Sequence, residues 1–234
     1  MRGIPKKFSE FWNQNRERLL VTVLPRRYAN LLQASKGGLW DKYFADAERD
    51  MNTQWDSTIW PLIKDFSFDM VLELAPGAGR NTEKLSGVSR QIIAVDLNSY
   101  ALEQCRKRLG ATYQGCKLEY HVNNGTNLGM IPDGVVTTIY CWDAAVHFDK
   151  GILGDYIKEF SRVLKVDGRG FVHHSNLGAK ADKNIKKNPH WRSNMSKADF
   201  AAMCETNGLS VLMQVDIPWD NIVDCATIFQ KRPR

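Results

Sequence analysis

The stretch that decides the fold is VLELAPGAGRNT, Val71 to Thr82. With the residues before it, FDMVLELA reads as an apolar strand, and RNTEKLSGV after it opens a helix. Between them stand Gly77 and Gly79, which permit a tight turn and let backbone N–H groups at a helix start approach a bound group closely. A lone GxG is a weak signal, but its surroundings sharpen it. Glu73 lies four residues before Gly77, and Thr82 stands where a dinucleotide fingerprint would carry its third glycine. The next strand, QIIAVDL, ends at Asp96, nineteen residues beyond Gly77, where a carboxylate can accept both hydroxyls of a ribose.

Outward from this stretch, strands alternate with helices. NSYALEQCRKRLG reads as a helix capped by Asn98 or Ser99 and ending at Gly110. KLEYHVNN and VVTTIYCWD are strands. DKGILGDYIKEFSRVLK is an amphipathic helix, with Ile152, Tyr156, Ile157, Phe160, Val163 and Leu164 on one face. GRGFVHHS is a fifth strand, SKADFAAMCETNG a helix capped by Ser196, and LSVLMQVDIP with IVDCATIFQK a final antiparallel pair. Such alternation predicts an α/β fold with a mostly parallel sheet covered on both faces. Residues 1–66 read differently, as a helical N-terminal extension rich in aromatics, so the expected division is 1–66 and 67–234.

At 234 residues, 43% hydrophobic and 25% charged, the chain has the composition of a globular protein. It contains no run of 18 apolar residues, and its five cysteines form no CxxC pair, which points to reduced thiols and a cytoplasmic setting. The net charge of +6 is concentrated: residues 1–27 hold seven Lys/Arg against two Glu, and residues 179–197 hold six against one Asp. Charge gathered this way suits an anionic partner. For the basic start, with Lys6, Lys7, Arg26 and Arg27, that partner is expected to be the inner membrane surface.

In order and spacing, VLELAPGAGRNT, IIAVDLN and VNNGTNL resemble the glycine, ribose and adenine motifs of the class I S-adenosyl-L-methionine (SAM) methyltransferases. The resemblance covers roughly residues 66–230. It implies a Rossmann-like fold with a seven-stranded, mostly parallel sheet whose last strand is antiparallel. It also implies SAM as cofactor. The Gly77–Gly79 turn would hold the methionine part, Asp96 the ribose, and Asn124 with Gly125 the adenine, with Glu73, Leu97 and Trp142 also among the cofactor-binding residues. The family often carries Asp where Asn124 stands; an Asn can still meet the adenine amino group through its carbonyl oxygen. A nicotinamide-dependent Rossmann oxidoreductase is disfavoured by the missing third glycine and the final strand pair. A SAM-fold module without catalysis is the third reading, which the intact motifs weaken.

The acceptor side lies after the fourth and fifth strands. Neither the Asn/Asp-Pro-Pro-aromatic signature of base-amino methylation nor a Pro-Cys nucleophile is present, so no nucleic-acid acceptor is expected, although the basic charge keeps RNA as an alternative. YCWDAAVHFD, FVHHSN, NPHWRSNMS and DCATIF instead resemble small sugar O-methyltransferases of bacterial polysaccharide and glycoside biosynthesis. That resemblance implies a sugar-bearing acceptor. A sugar hydroxyl must lose its proton as the methyl arrives, and neutral histidine suits that task. His147 follows Asp143 by four residues; on a helical turn the two share a face, which makes His147 the expected base and Asp143 its partner. His173 and His174 end the fifth strand and point to opposite faces. His174 is expected to face the cleft as the second catalytic group, with His173 and Asn176 beside the acceptor. Some small-molecule O-methyltransferases hold Mg²⁺ at these strand ends, but His174, Ser175 and Asn176 are not the carboxylates it prefers, so no metal is expected. Residues 177–195 are expected to form a lid, with Lys183, Lys187 and Arg192 toward an anionic acceptor and Trp191 on a sugar ring.

Overall fold

The computed structural model describes residue 48 and residues 51–179, 192–219 and 222–233. Eight strands form one sheet: β1 (Met70–Leu74), β2 (Gln91–Asp96), β3 (Thr112–Tyr113), β4 (Cys116–Val122), β5 (Val136–Cys141), β6 (Leu164–His174), β7 (Leu209–Trp219) and β8 (Ile222–Lys231). Their order is β3-β4-β2-β1-β5-β6-β8-β7. The five inner strands β4, β2, β1, β5 and β6 run parallel, and β8 pairs antiparallel with both β6 and β7. The sheet therefore has one strand more than the seven expected. The addition is β3, two residues folded back on β4 through a hairpin whose central pair, Gln114 and Gly115, both take positive φ (50° and 84°). A two-residue loop with both φ positive matches the right-handed twist of the flanking strands.

The helices are α1 (Met51–Gln54), a π-helical segment (Trp55–Ile59), α2 (Trp60–Ile63), α3 (Arg80–Ser86), α4 (Ser99–Leu109), α5 (Lys150–Val163) and α6 (Lys197–Thr206). Side chains begin three of them. Asn98 accepts from Tyr100 N and Ala101 N, Asp149 from Ile152 N, and Ser196 with Asp199 forms a capping box. None of these helices is long and apolar enough to cross a membrane.

Each face of the sheet carries its own core. On one face α5 and α6 bring Leu153, Ile157, Phe160 and Phe200 against Leu72, Ile139 and Val172. On the other, Met51, Trp55, Ile59 and Ile63 pack with Leu85 and Leu109 against Val71, Ile92, Tyr140 and Phe171. Ile59 and Ile63 are fully buried, and full burial of such a side chain contributes about 1.5–3 kcal/mol. Residues 1–47, the larger part of the expected N-terminal extension, lie outside the described residues. The strand order reverses where the chain leaves β4, beside β2, and crosses to β5 on the far side of β1. In open α/β sheets the ligand crevice opens at this switch point, beyond the carboxyl ends of the strands.

One packing detail is testable. Gly170 in β6 lies opposite Phe229 in β8, and a Cβ there would come within 2.1 Å of the Phe229 ring. That ring also contacts Phe160 and Phe200, so it has little room to move. Gly170→Ala is expected to destabilise the protein by about 1–3 kcal/mol. Adding Phe229→Leu should recover part of that loss in a urea titration; purely additive losses would show that the ring is not the obstacle.

Candidate active site

Three left-handed residues, Ala75, Gly77 and Gly79 (φ 57°, 58° and 90°), turn the chain from β1 into α3. Gly79 meets a second demand as well: a Cβ there would lie 2.7 Å from Cys105 Sγ, so its absence lets α4 pack against the turn. The turn closes on Asp96. Gly77 N donates to Asp96 Oδ2 at 3.3 Å, and Asn98 N donates to Oδ1 at 2.8 Å. The predicted glycine and ribose motifs are thus joined through one carboxylate.

Both acids of this half are buried. Burial pushes Asp96 up to about 6, opposed by the N–H groups of Asn98 and Gly77. Burial pushes Glu73 further, to about 8, with the charge of Asp96 adding to the rise. The Thr82 hydroxyl lies close enough to offset a little of this, yet neither Glu73 oxygen has a hydrogen-bond partner of good geometry among the described residues. A carboxylate left in this state fits a cationic ligand. SAM carries an ammonium and a sulfonium, so these residues suit it: Glu73 and the Gly77–Gly79 turn for its methionine part, Asp96 for its ribose. Leu97 packs over Gly125, within 3.5 Å of where a Cβ would be. Asn124 corrects its expectation. Its carbonyl oxygen, thought available for an adenine amino group, accepts from Thr126 N and Asn127 N and so serves the turn itself.

The expected acceptor half lies at the ends of β5 and β6. Trp142 is buried, stacks on Phe171 and on His173 (centroids 4.3 Å apart), and donates from Nε1 to Gln54 Oε1 at 3.3 Å. Asp143 takes a left-handed φ of 59°, and its carboxylate accepts from Arg80 Nη2 at 2.9 Å. The helical face expected to join Asp143 to His147 does not form, because that left-handed residue breaks the turn; the helical turn that follows is a separate 3-10 turn, Ala145–His147. His147 stands exposed at its end.

The two neighbouring histidines do face opposite ways, but neither opens into the cleft, and His174 is the one turned away from Trp142 and Asp143. His174 points into the core under α6. It is fully buried, stacked on Phe200 at 4.2 Å, with Nδ1 donating to Ser175 O and Nε2 against Thr227 Oγ1 at 2.8 Å. Burial lowers its pKa to about 4, and it reaches no cleft. His173 shares the face of Trp142 and Asp143. Burial and then the Arg192 cation hold its pKa well below the ordinary imidazole value. At 1% exposure it supports the wall rather than touching an acceptor.

Arg192, expected to face an anionic acceptor, is instead buried, with Nε donating to Asp224 Oδ2 at 2.8 Å. Asn176 accepts from Lys197 N at 2.9 Å, ahead of α6. Lys183, Lys187 and Trp191 lie outside the described residues. Two side chains of the site went unnoticed in the sequence, Arg80 and Asp224. The signal for Asp224 was a lone acid in the otherwise apolar strand IVDCATIF.

Residues 71–168 match the family model described as a methyltransferase domain. Among solved structures, the fold is similar to that of SAM-dependent methyltransferases from Methanosarcina mazei (17% identity, TM-score 0.61, covering 74% of this chain and 98% of that one). It is also similar to geranyl diphosphate C-methyltransferase from Streptomyces coelicolor A3(2), complexed with Mg²⁺, geranyl diphosphate and S-adenosyl-L-homocysteine (15%, 0.58, 70% and 71%). A third is magnesium protoporphyrin IX methyltransferase from Synechocystis PCC 6803 with bound S-adenosyl-L-homocysteine (11%, 0.61, 94% and 99%). At such identities the likeness is one of fold. No curated protein matches the chain. The matched segment is thus a methyltransferase domain, and the solved structures share its fold.

Glu73→Gln tests the buried carboxylate. A group whose folded-state pKa is raised lends its full stability below the unfolded value, ordinarily 4.5, and loses it as pH climbs to about 8. The cofactor-free variant should match wild type near pH 5 and exceed it by a few kcal/mol near pH 8, at about 1.4 kcal/mol per pH unit. Thermal unfolding at both pH values checks this; an equal effect at both would show that ionisation of Glu73 is not what destabilises the fold.

Proposed function

We propose that the protein is a SAM-dependent methyltransferase that methylates a hydroxyl of a sugar-bearing acceptor, with His147 as the proton acceptor. The observation that carries the reading is the distribution of exposure among three histidines at one sheet edge. His174 is locked in the core and His173 is walled in by Trp142, whereas His147 is exposed at the tip of the turn after β5. The returning chain fixes that turn, since Ser193 N donates to Val146 O at 2.8 Å.

Bound SAM supplies an electrophilic methyl group and leaves as S-adenosyl-L-homocysteine. His147 takes the hydroxyl proton as the acceptor oxygen forms its new bond to carbon. Glu73 and Asp96 hold the cofactor, while Arg80 and Asp143 join the cofactor turn to the wall beside His147. The sugar follows from the resemblance carried by YCWDAAVHFD, FVHHSN, NPHWRSNMS and DCATIF. The basic stretch holding Lys183 and Lys187 suits an acceptor that bears phosphate or another anion.

A screen of tritiated-methyl transfer from SAM to sugars, sugar phosphates and glycolipid intermediates, with and without EDTA, tests the acceptor; transfer only to non-hydroxyl atoms would overturn it. With an acceptor in hand, His147→Ala is expected to lose about 10²–10⁴ in turnover and keep its SAM affinity by calorimetry. Near-full turnover in that variant would make His147 structural.

A further inference from the structure

The geometry points to Asp224 as a positioning residue for the cofactor turn, acting through His173 to hold Asp143 where its carboxylate grips Arg80. Four side chains form the line. Asp224 enters from β8, one residue beyond the last pair with β6, on the same sheet face as His173. It is fully buried, and His173 Nε2 lies 3.7 Å from its Oδ2. At the opposite corner of the ring, Nδ1 faces Asp143 N at 3.3 Å. Asp143 Oδ2 then meets Arg80 Nη2 at 2.9 Å, and Arg80 is the residue that follows Gly79.

The chemistry of the middle link sets the direction. A backbone N–H can only donate, so Nδ1 must present its lone pair, and the proton of a neutral ring must sit on Nε2. Nε2 is the nitrogen turned toward the carboxylate. The opposite tautomer would set two N–H groups against each other at Asp143 and turn a lone pair toward a negative charge. Asp143 needs the support, because a non-glycine residue in the left-handed region persists only where its surroundings dictate it. Stacking on Trp142 fixes the plane of the ring and the Asp143 N–H fixes its tautomer, while Asp224, whose Oδ2 also accepts from Arg192 Nε at 2.8 Å, faces the Nε2 proton at 3.7 Å as a charge rather than as a hydrogen-bond partner. A buried carboxylate in an otherwise apolar strand thereby acts on the glycine turn from the far end of the sheet. The inference rests on that turn being the SAM site and does not depend on the acceptor.

The test has two parts. In the full chain labelled with ¹⁵N-histidine, long-range ¹H–¹⁵N spectra of the wild type should show His173 as the Nε2–H tautomer, neutral throughout the neutral range. An Nδ1–H tautomer would overturn the proposal without any variant. In calorimetry, Asp224→Ala should weaken SAM binding by about tenfold, and Asp224→Asn, which keeps an acceptor oxygen, by distinctly less. Asp143→Gly keeps the left-handed backbone and removes the carboxylate; its loss should equal that of Asp224→Ala, and the double variant should bind no worse than either single one. Additive losses, or unchanged SAM affinity in Asp224→Ala, would make Asp224 a packing residue only. If Asp224→Ala does not fold, the wild-type tautomer and the Asp224→Asn/Asp143→Gly cycle decide.

Discussion

The structure depends on two carboxylates buried at the ends of adjacent parallel strands. Glu73 sits between Ala94 on β2 and Tyr140 on β5, and Asp96 ends β2. Ionised acids in such a place are costly unless charge or hydrogen bonds answer them. Asp96 is answered by the N–H of Gly77, which requires the left-handed turn and so the glycines. Glu73 is not answered within the described residues, and its pKa rises accordingly. Such a site lowers the stability of the empty protein and regains it when a cation binds. Strain of this kind is found where function requires it.

The same constraint explains why the second half of the site takes its shape. Arg80, the first residue after the turn, is a cation whose charge reaches Glu73. Its own guanidinium is directed to Asp143, and Asp143 is directed by His173. The glycine turn and the wall at the ends of β5 and β6 are therefore one piece of charge-coupled structure rather than two sites side by side. Trp142 ties that piece to the N-terminal helix through Gln54.

Much of the fold was legible because it rests on local chemistry. Apolar runs for strands buried on both faces, the caps Asn98 and Ser196, and the glycine turn with Asp96 are each decided within a few residues. The errors came where tertiary placement decides. Strand alternation says that His173 and His174 part company, but only the packing of α6 through Phe200 says which one enters the core. The basic stretch directs Arg192 to an anionic acceptor, whereas β8 supplies the buried acid it meets. Asp143 and His147 were paired by helical spacing, and a single left-handed residue cancelled that spacing. The extra strand β3 rests on Gln114–Gly115, a turn signal only two residues long.

What the acceptor meets is bounded by how the chain frames residues 180–191. Gly178 N donates to Met195 O at 2.8 Å, so the chain departs and returns at one place. Arg192 is fastened there to Asp224, and Ser193 to the turn that bears His147. The residues on either side of that segment are held against the turn that bears His147 and against β8, so these strand ends keep their places whatever the sequence between them. The proposed preference for an anionic acceptor can then lie with the charges of residues 180–191, while the side chains at the ends of β5, β6 and β8 stay fixed. That separation follows a general rule for sites on α/β sheets: rigid strand ends carry the chemistry, and the connecting loops carry the choice of partner.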